Sequence, residues 1–383
     1  MRNKKVEREK MLNKILILKT SNLIYIYIFI NAICKGIGLS NDDKIYSLLL
    51  CVGLLLVVYK IVNEKYSRIE MAVTLCFLFA GLMTFLVTKK ATLFLTVITI
   101  TAMKNTEESR YLKTFYNIKI TTFILLVVLS LAELIPTRII YDYRSGGFIT
   151  RNSLGYGHPN TTFISLYIII SVYTVLKKGH LNILDYLICI FANIFIYHFS
   201  LSRAGAIVVF LHLAINLIFD KIIRNANMNV IKYLCISVFI ICILLSFFTA
   251  FYYGKNSLIT YLNKVVNGRI QYSSYYLKHY PMTLFGNHNL LLDENAQFDN
   301  SYVLIYLQYG LLGFVVWIII MTLSLFYIIL NGNKGSATTF ITISIYLFME
   351  SFGPNIYLNY IMLFAGHQIY QSYACKLKHT ADC

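Results

Sequence analysis

Charged side chains are scarce in this chain, and their scarcity argues against a soluble globular protein. Only 13% of its 383 residues are Asp, Glu, Lys or Arg, about half of the share that a soluble domain carries. Hydrophobic residues make up 58% of the chain, and the mean hydropathy is +0.65. The composition therefore predicts an all-α polytopic membrane protein.

Several other features are missing. The eight cysteines form no C-x-x-C pair, and none lies in the one long polar segment, so we expect neither disulfides nor a zinc site. The basic N-terminal segment lacks a small-residue cleavage site before the first apolar run, which favours an uncleaved cytoplasmic tail over a signal peptide. Loop lengths show no period, so we predict no internal repeat.

What the chain does contain is a series of apolar runs of about the length that crosses a bilayer. They predict twelve transmembrane helices, at 20–38, 44–62, 69–88, 90–104, 118–136, 158–176, 181–200, 203–220, 231–252, 302–330, 336–353 and 355–373. The domain organisation that follows is an N-terminal tail at 1–19, spans one to nine within 20–252, a large loop at 253–301, spans ten to twelve within 302–373, and a C-terminal tail at 374–383.

The distribution of basic residues sets the predicted orientation. With the N-terminus inside, the inner side holds 22 of the 34 lysines and arginines, as the positive-inside rule requires. Both termini are then cytoplasmic, and the loop at 253–301 is extracytoplasmic. The net charge of +17 is explained by this topology and by anionic lipid head groups, so we expect membrane lipids and no nucleic acid as partners.

Arginine departs from this bias. Five of the ten arginines follow the fifth span on the predicted outer side, where basic residues are disfavoured: Arg138, Arg144, Arg151, Arg203 and Arg269. Because the guanidinium group binds phosphate through two donors and keeps its charge, these residues suggest an anionic phosphate ligand. The alternative is that they anchor the protein at lipid head groups.

The segment at 138–160 contains two of these arginines. His158 and Pro159 begin the sixth predicted span, and proline is well placed in a first helical turn. A helix N-terminus offers unpaired N–H groups to an anion, so Arg144, Arg151 and His158 are predicted to meet one ligand there. The alternative is a glycine-rich connector followed by a capped helix.

The tight outer turn at 200–205 reads Ser-Leu-Ser-Arg-Ala-Gly. A serine cap at Ser202, free N–H groups and Arg203 predict a compact phosphate cradle. The alternative is a capped turn whose arginine reaches the head groups, because a buried and unpaired arginine is costly in a membrane.

The long loop at 253–301 is rich in tyrosine. Its apolar residues recur at helical spacing over 258–276, which predicts helices lying on the membrane surface. Asn267 and Gly268 mark a break between two such helices, and Arg269 follows the break. Tyrosine suits an interface, and its ring also stacks on sugars.

Candidate proton-transfer groups follow in the same loop. Asp299 and His288 are candidates for a general base, although Asp299 precedes a helix and could instead cap it. A metal site formed by His288, Asp293, Glu294 and Asp299 is conceivable, but its spacing fits no motif, so we predict neither metal nor cofactor. Glu350 lies near the outer end of a predicted span and should pair with an arginine.

These segments together resemble the bacterial polysaccharide polymerases of the Wzy type, which are relatives of the O-antigen ligases. The matching stretches are R-N-S-x-G-x-x-H-P-N at 151–160, S-x-S-R-A-G at 200–205, N-G-R at 267–269, P-M-T-L-F-G at 281–286, D-N-S-Y-x7-G at 299–310, and Glu350. They keep the order expected of that family from residue 138 onward. The first 130 residues match only as membrane spans.

The resemblance implies a GT-C-like membrane glycosyltransferase at the outer face of the bacterial cytoplasmic membrane. Its donor is a growing glycan on undecaprenyl pyrophosphate, its acceptor is a lipid-linked repeat unit, and it needs no cofactor. A flippase and a chain-length regulator are partners of such enzymes. The sugar, the linkage and the product remain open among capsule, O-antigen and exopolysaccharide.

The resemblance also assigns residue roles. Asp299, His288 and Glu350 are the catalytic candidates, and Asp299 stands where the related ligases carry a histidine. Pyrophosphate binding falls first to Arg203 and Arg269, then to Arg144, Arg151 and His158. Supporting positions are Ser202, Asn160, Asn300 and Tyr302. The alternatives are a ligase, which uses another acceptor, and a flippase for lipid-linked oligosaccharide.

Overall fold

The structure is a computed structural model, and it describes residues 22–31, 33–34, 44–144, 147–222, 228–288, 290 and 298–370. Eight of the helices described are long and apolar enough to cross a membrane. The prediction of a multi-pass helical membrane protein is thus confirmed. The predicted tails at 1–19 and 374–383 lie outside the described residues.

The elements follow one another as a series of helices with one β-hairpin between the fifth and the sixth. The helices are α1 (Asn22–Asn31), α2 (Lys44–Asn63), α3 (Arg68–Thr88), α4 (Thr92–Thr101), α5 (Glu108–Leu131), α6 (Pro159–Leu176), α7 (Ile183–Ser200), α8 (Arg203–Leu217), α9 (Met228–Tyr252), α10 (Ser257–Val265), α11 (Arg269–His279), α12 (Ser301–Gln308), α13 (Gly310–Asn331), α14 (Lys334–Leu347) and α15 (363–370). The strands are β1 (Ile139–Arg144) and β2 (Gly147–Asn152).

The predicted tenth span at 302–330 is wrong in one respect, because it consists of two helices. Tyr309 lies between α12 and α13, and Gly310, with a φ of +71°, begins α13. The amides of Leu311 and Leu312 donate instead to the carbonyls of Thr283 and Leu284, each at 3.0 Å. The loop that contains the P-M-T-L-F-G stretch at 281–286 is thereby hydrogen-bonded to the junction of the two helices.

Four other predicted spans are shorter than expected in the described residues. The fourth, 90–104, contains only the ten-residue α4. Beyond its end, the buried Lys60 ammonium donates to the carbonyls of Ala102 and Lys104 at 2.6 and 2.5 Å. The first, eleventh and twelfth contain α1, the 14-residue α14 and α15. The count of twelve spans stays a prediction.

The β-hairpin corrects the expectation of an all-α chain. The interpretation of 138–160 as a glycine-rich connector missed two antiparallel strands, in which Tyr141 pairs with Thr150 and Ile139 with Asn152. The second half of that segment agrees with the prediction, since His158 is the N-cap of α6 and Pro159 is its first residue.

The surface-helix pattern of the long loop is confirmed as two helices. α10 ends at Val265, Asn267 and Gly268 both adopt positive φ angles of 54° and 82°, and α11 begins at Arg269. α10 exposes Leu258, Tyr261, Leu262 and Val265 while it buries Ile259. Its position on a membrane surface stays a prediction.

Polar contacts show that the connecting segments meet in two groups, one at each end of the helix bundle. At the first, which we call the site end, the hairpin contacts the end of α7, and the long loop contacts the segment after α14. At the other, which we call the opposite end, Lys334 Nζ donates to the Phe219 carbonyl at 3.0 Å, and His180 meets Asp220. This grouping agrees with the sides predicted from the spans.

Candidate functional site

A cavity of about 650 Å³ opens at the site end of the bundle, within the size range of small-molecule binding sites. Its walls come from the turn before α4, the start of α6, the helix α12 with the residues on either side of it, and the segment at 348–359, which we call the floor segment. The lining residues that can ionise or that carry a side-chain amide are Lys90, His158, Asn160, Asp299, Gln308, Tyr309, Glu350 and Asn355.

Arg269 joins two of the predicted catalytic carboxylates beside this cavity. Its Nε lies 3.1 Å from Asp299 Oδ2, and its Nη2 lies 3.0 Å from Glu350 Oε1. The side chains of Arg269 and Glu350 are 13% and 7% exposed, whereas Asp299 keeps 21% of its surface. Three residues from α11, the start of α12 and the floor segment thus meet, and the predicted pairing of Glu350 with an arginine is confirmed.

Asn160 connects this ion pair to the other predicted segments. Its Nδ2 donates to Glu350 Oε1 at 3.0 Å. Its Oδ1 accepts from Arg151 Nη2 at 2.6 Å and from Ser202 Oγ at 3.1 Å. The first turn of α6 therefore ties the hairpin and the α7–α8 turn to the carboxylate of Glu350.

Arg151 is buried, and its donors are occupied by protein groups. Nε donates to the Ser200 carbonyl at 2.9 Å, Nη1 to Asp142 Oδ2 at 3.0 Å, and Nη2 to Asn160. We therefore revise the predicted phosphate contact of Arg151, because this geometry makes it the residue that fastens the hairpin to the bundle.

His158 lines the cavity as a neutral side chain. Its Nδ1 accepts the Asn160 amide at 3.1 Å, so the proton of the neutral ring lies on Nε2. Burial and, next, the charge of Arg151 lower the pKa of His158 below its usual value. The N-terminus of α6 is thus capped from within, which removes part of the predicted anion site, because the His158 carbonyl also accepts from the Thr161 amide.

Asp299 is not the cap of α12. That position belongs to Asn300, whose Oδ1 accepts the amides of Tyr302 and Val303 at 3.0 and 3.2 Å. Asn300 Nδ2 donates to Ser246 Oγ of α9 at 3.0 Å, which fixes the start of the helix. The carboxylate of Asp299 is consequently left for Arg269 and for the cavity.

Tyr302 and Ser301 support the site from below. Tyr302 is fully buried, donates to the Ser344 carbonyl at 2.8 Å and packs against Trp317. Ser301 Oγ donates to the Glu350 carbonyl and accepts the Gly353 amide at 2.9 Å. The predicted supporting role of Tyr302 thus lies in packing the bundle core.

Some predicted residues are not brought to the cavity. Arg203 is exposed, is not among the lining residues, and forms no ion pair with the part of the chain that the structure describes. His288 is exposed outside the cavity lining, and its neighbour Asn287 donates to the Leu307 carbonyl near the far end of α12. The side chain of Arg144, together with Asp293 and Glu294, lies outside the described residues.

Lys90 is a lining residue that sequence reasoning missed. It is exposed and follows Lys89, at a place where the predicted spans 69–88 and 90–104 leave almost no loop. The signal was present, since Lys89 and Lys90 are two cations at an outward turn, where basic residues are disfavoured.

The two carboxylates of the site differ in exposure, because Glu350 is buried against Arg269 whereas Asp299 keeps part of its surface at the cavity. Because a single guanidinium serves two carboxylates, the partly exposed Asp299 is the one placed to take a proton from a bound hydroxyl.

Comparison with known proteins identifies no family for this chain, so the proposal of a function depends on the sequence and on the geometry of the site. No protein-family profile matches the chain, and no curated protein matches it.

Proposed function

We propose that this protein polymerises lipid-linked oligosaccharide repeat units by glycosyl transfer in the cavity at the site end. The observation that carries the proposal is the Asp299–Arg269–Glu350 cluster at that cavity. It supplies a carboxylate held at a fixed place beside a space large enough for a sugar, as base catalysis on a hydroxyl requires.

The reaction transfers a glycan from undecaprenyl pyrophosphate to a hydroxyl of the acceptor. The hydroxyl oxygen attacks the anomeric carbon, and its proton goes to the carboxylate of Asp299. The bond from the anomeric carbon to the phosphate oxygen breaks, and its electron pair leaves with the pyrophosphate. Attack from the opposite face would invert the anomeric configuration.

The surrounding residues hold the base and the substrates. Arg269 orients Asp299 and stays charged at any working pH. Glu350, fixed by Asn160, anchors the other side of Arg269. Arg203, exposed at the start of α8 and outside the cavity lining, remains a candidate for the pyrophosphate, and His158 offers its Nε2 proton to a substrate oxygen.

The wider proposal follows from the resemblance described above. The chain would have twelve spans in a GT-C-like arrangement, both termini in the cytoplasm, and the cavity at the outer face of the bacterial cytoplasmic membrane. A flippase would deliver its lipid-linked substrates, and a chain-length regulator would act on its product.

The test is to incubate the purified protein with a lipid-linked repeat unit and to resolve the products by length. Wild-type protein should give a ladder of glycans, and Asp299→Asn should leave single repeat units. The matched control is Glu133→Gln, which neutralises an exposed carboxylate after α5 that lies outside the cavity lining and should leave the ladder unchanged.

Other outcomes assign other functions. Transfer of the glycan to a different acceptor without a ladder would indicate a ligase. Movement of the substrate across vesicles without new glycosidic bonds would indicate a flippase. Either result, or a normal ladder from Asp299→Asn, would overturn the corresponding part of the proposal.

A further inference from the structure

We infer that Lys90 is the cation that binds the diphosphate of the lipid-linked donor. This inference deepens the proposed function and rests on it for the identity of the donor. The chemical class of the ligand is a sugar-linked or lipid-linked diphosphate, which carries its negative charge at the end where the glycosidic bond breaks.

The first support is that the two arginines that contact the Asp299, Glu350 and Asn160 side chains have little left to offer an anion. Arg151 is buried and donates to Ser200, Asp142 and Asn160. Arg269 is committed to the two carboxylates of Asp299 and Glu350. Among the lining residues that the structure describes, Lys90 is the one with a fixed positive charge.

The second support is the geometry of the turn that presents Lys90. Lys89 adopts the left-handed conformation with a φ of 57° and ends α3, since its amide donates to the Phe85 carbonyl at 2.8 Å. The amide of Lys90 donates to Thr88 Oγ1 at 3.2 Å. The turn is thereby fixed, so that Lys90 lines the cavity and Lys89 does not.

The third support is the charge pattern across the cavity. Asp299 and Glu350 make one side acidic, and a diphosphate placed there would be repelled. Lys90 belongs to the turn between α3 and α4, whereas Asp299 precedes α12 and Glu350 belongs to the floor segment. The diphosphate would therefore lie towards Lys90 and the acceptor hydroxyl towards Asp299, which sets the direction in which the donor enters.

The turn offers a matched pair of variants for the test. Lys90→Gln and Lys89→Gln each remove one exposed lysine charge from adjacent positions. Initial rates of polymerisation would be measured with purified protein as the concentration of lipid-linked donor is varied. Lys90→Gln should raise the KM for the donor about tenfold or more, the loss expected for a charge-assisted contact, while Lys89→Gln should match wild type.

A binding measurement separates this inference from the proposed function. Inorganic pyrophosphate should bind the wild type and Lys89→Gln alike, more weakly to Lys90→Gln, and with intermediate affinity to Lys90→Arg. Equal pyrophosphate affinity and equal donor KM in Lys90→Gln and Lys89→Gln would overturn the role of Lys90 even if polymer forms. Absence of polymer from wild type, with the Lys90-dependent pyrophosphate binding intact, would instead overturn the proposed function alone.

Discussion

At the scale of single residues, Arg269 is the side chain on which the site depends. It belongs to the loop helix α11, yet its guanidinium is largely enclosed between Asp299 and Glu350 of two other segments. Removing one member of a buried ion pair leaves the other charge uncompensated, which typically costs about 3–5 kcal/mol.

We therefore predict that Arg269→Met destabilises the protein and that adding Glu350→Gln restores part of the loss. The second change removes the carboxylate that the first leaves unpaired. Thermal unfolding in detergent measures both effects, with Lys278→Met, an exposed cation of the same helix, or the single Glu350→Gln variant for comparison. Equal unfolding temperatures for Arg269→Met and for the double variant that also carries Glu350→Gln would contradict the pairing.

His158 gives a pH-dependent prediction. Its pKa in the folded protein is lowered by burial and by Arg151, so the unfolded chain takes up a proton below about pH 6.5 while the folded protein does not. The contribution of neutral His158 to the free energy of unfolding is thus fully present above about pH 6.5, and it is lost as the pH falls towards the lower pKa of His158 in the folded protein.

Between about pH 7.5 and 5, wild type should therefore lose more thermal stability than His158→Asn, because asparagine caps a helix without titrating. If the unfolding temperatures of the two proteins fell equally across this pH range, the proposed lowering of the His158 pKa would be contradicted.

At the scale of elements, the structure departs from the prediction at the junction of α12 and α13. The sequence over 302–330 is uniformly apolar, so its hydrophobicity predicts one span. The break at Gly310 depends on a close approach to Gly286, where an added Cβ would lie 2.4 Å from the Gly286 amide nitrogen. Such an approach between residues 24 positions apart in sequence leaves no periodic signal.

Gly310→Ala should consequently destabilise the protein more than Gly332→Ala. Both glycines bound α13 and have positive φ angles of 71° and 62°, but nothing lies within 4 Å of a Cβ at Gly332. The Gly332 variant thus reports the backbone strain alone, about 1 kcal/mol, and the difference in unfolding temperature reports the steric contact. Equal losses would mean that the junction can open.

The β-hairpin is a second element that periodicity could not find. Its strands are six residues each, and Phe148 and Tyr141 face outward rather than into a core. The paired α10 and α11 were predictable, because their apolar spacing and the Asn267–Gly268 break are both local. The alternative in which Asp299 caps α12 is wrong by one residue, since Asp299 and Asn300 are equally good caps in sequence and Asn300 takes the position.

At the scale of the whole molecule, the bundle has two chemically different ends. Segments that the predicted topology places outside meet at the site end, and segments that it places inside meet at the opposite end. Arg151, Asn160, Ser202, Arg269, Asp299 and Glu350 could be suspected from sequence, but their contacts depend on helices more than 100 residues apart in some cases, such as Asn160 and Glu350.

Cysteine labelling tests this arrangement. In a protein without its native cysteines, Lys89→Cys and Tyr253→Cys should react with a membrane-impermeant maleimide in intact cells. Asn105→Cys and Lys178→Cys should react only after the membrane is opened. Full reversal of the pattern would contradict the predicted orientation, whereas mixed labelling within one end would contradict the grouping of the segments in the structure.

The floor segment is not helical around Gly353 and Pro354. Neighbouring side chains supply hydrogen bonds that a helical backbone would otherwise provide. Trp317 Nε1 donates to the Gly353 carbonyl at 3.1 Å, and Thr96 Oγ1 to the Pro354 carbonyl at 2.7 Å. Within an apolar bundle, peptide groups without such donors would need water. A substitution that reshapes this stretch should therefore require compensating changes at Thr96 and Trp317, although both positions are far from it in sequence.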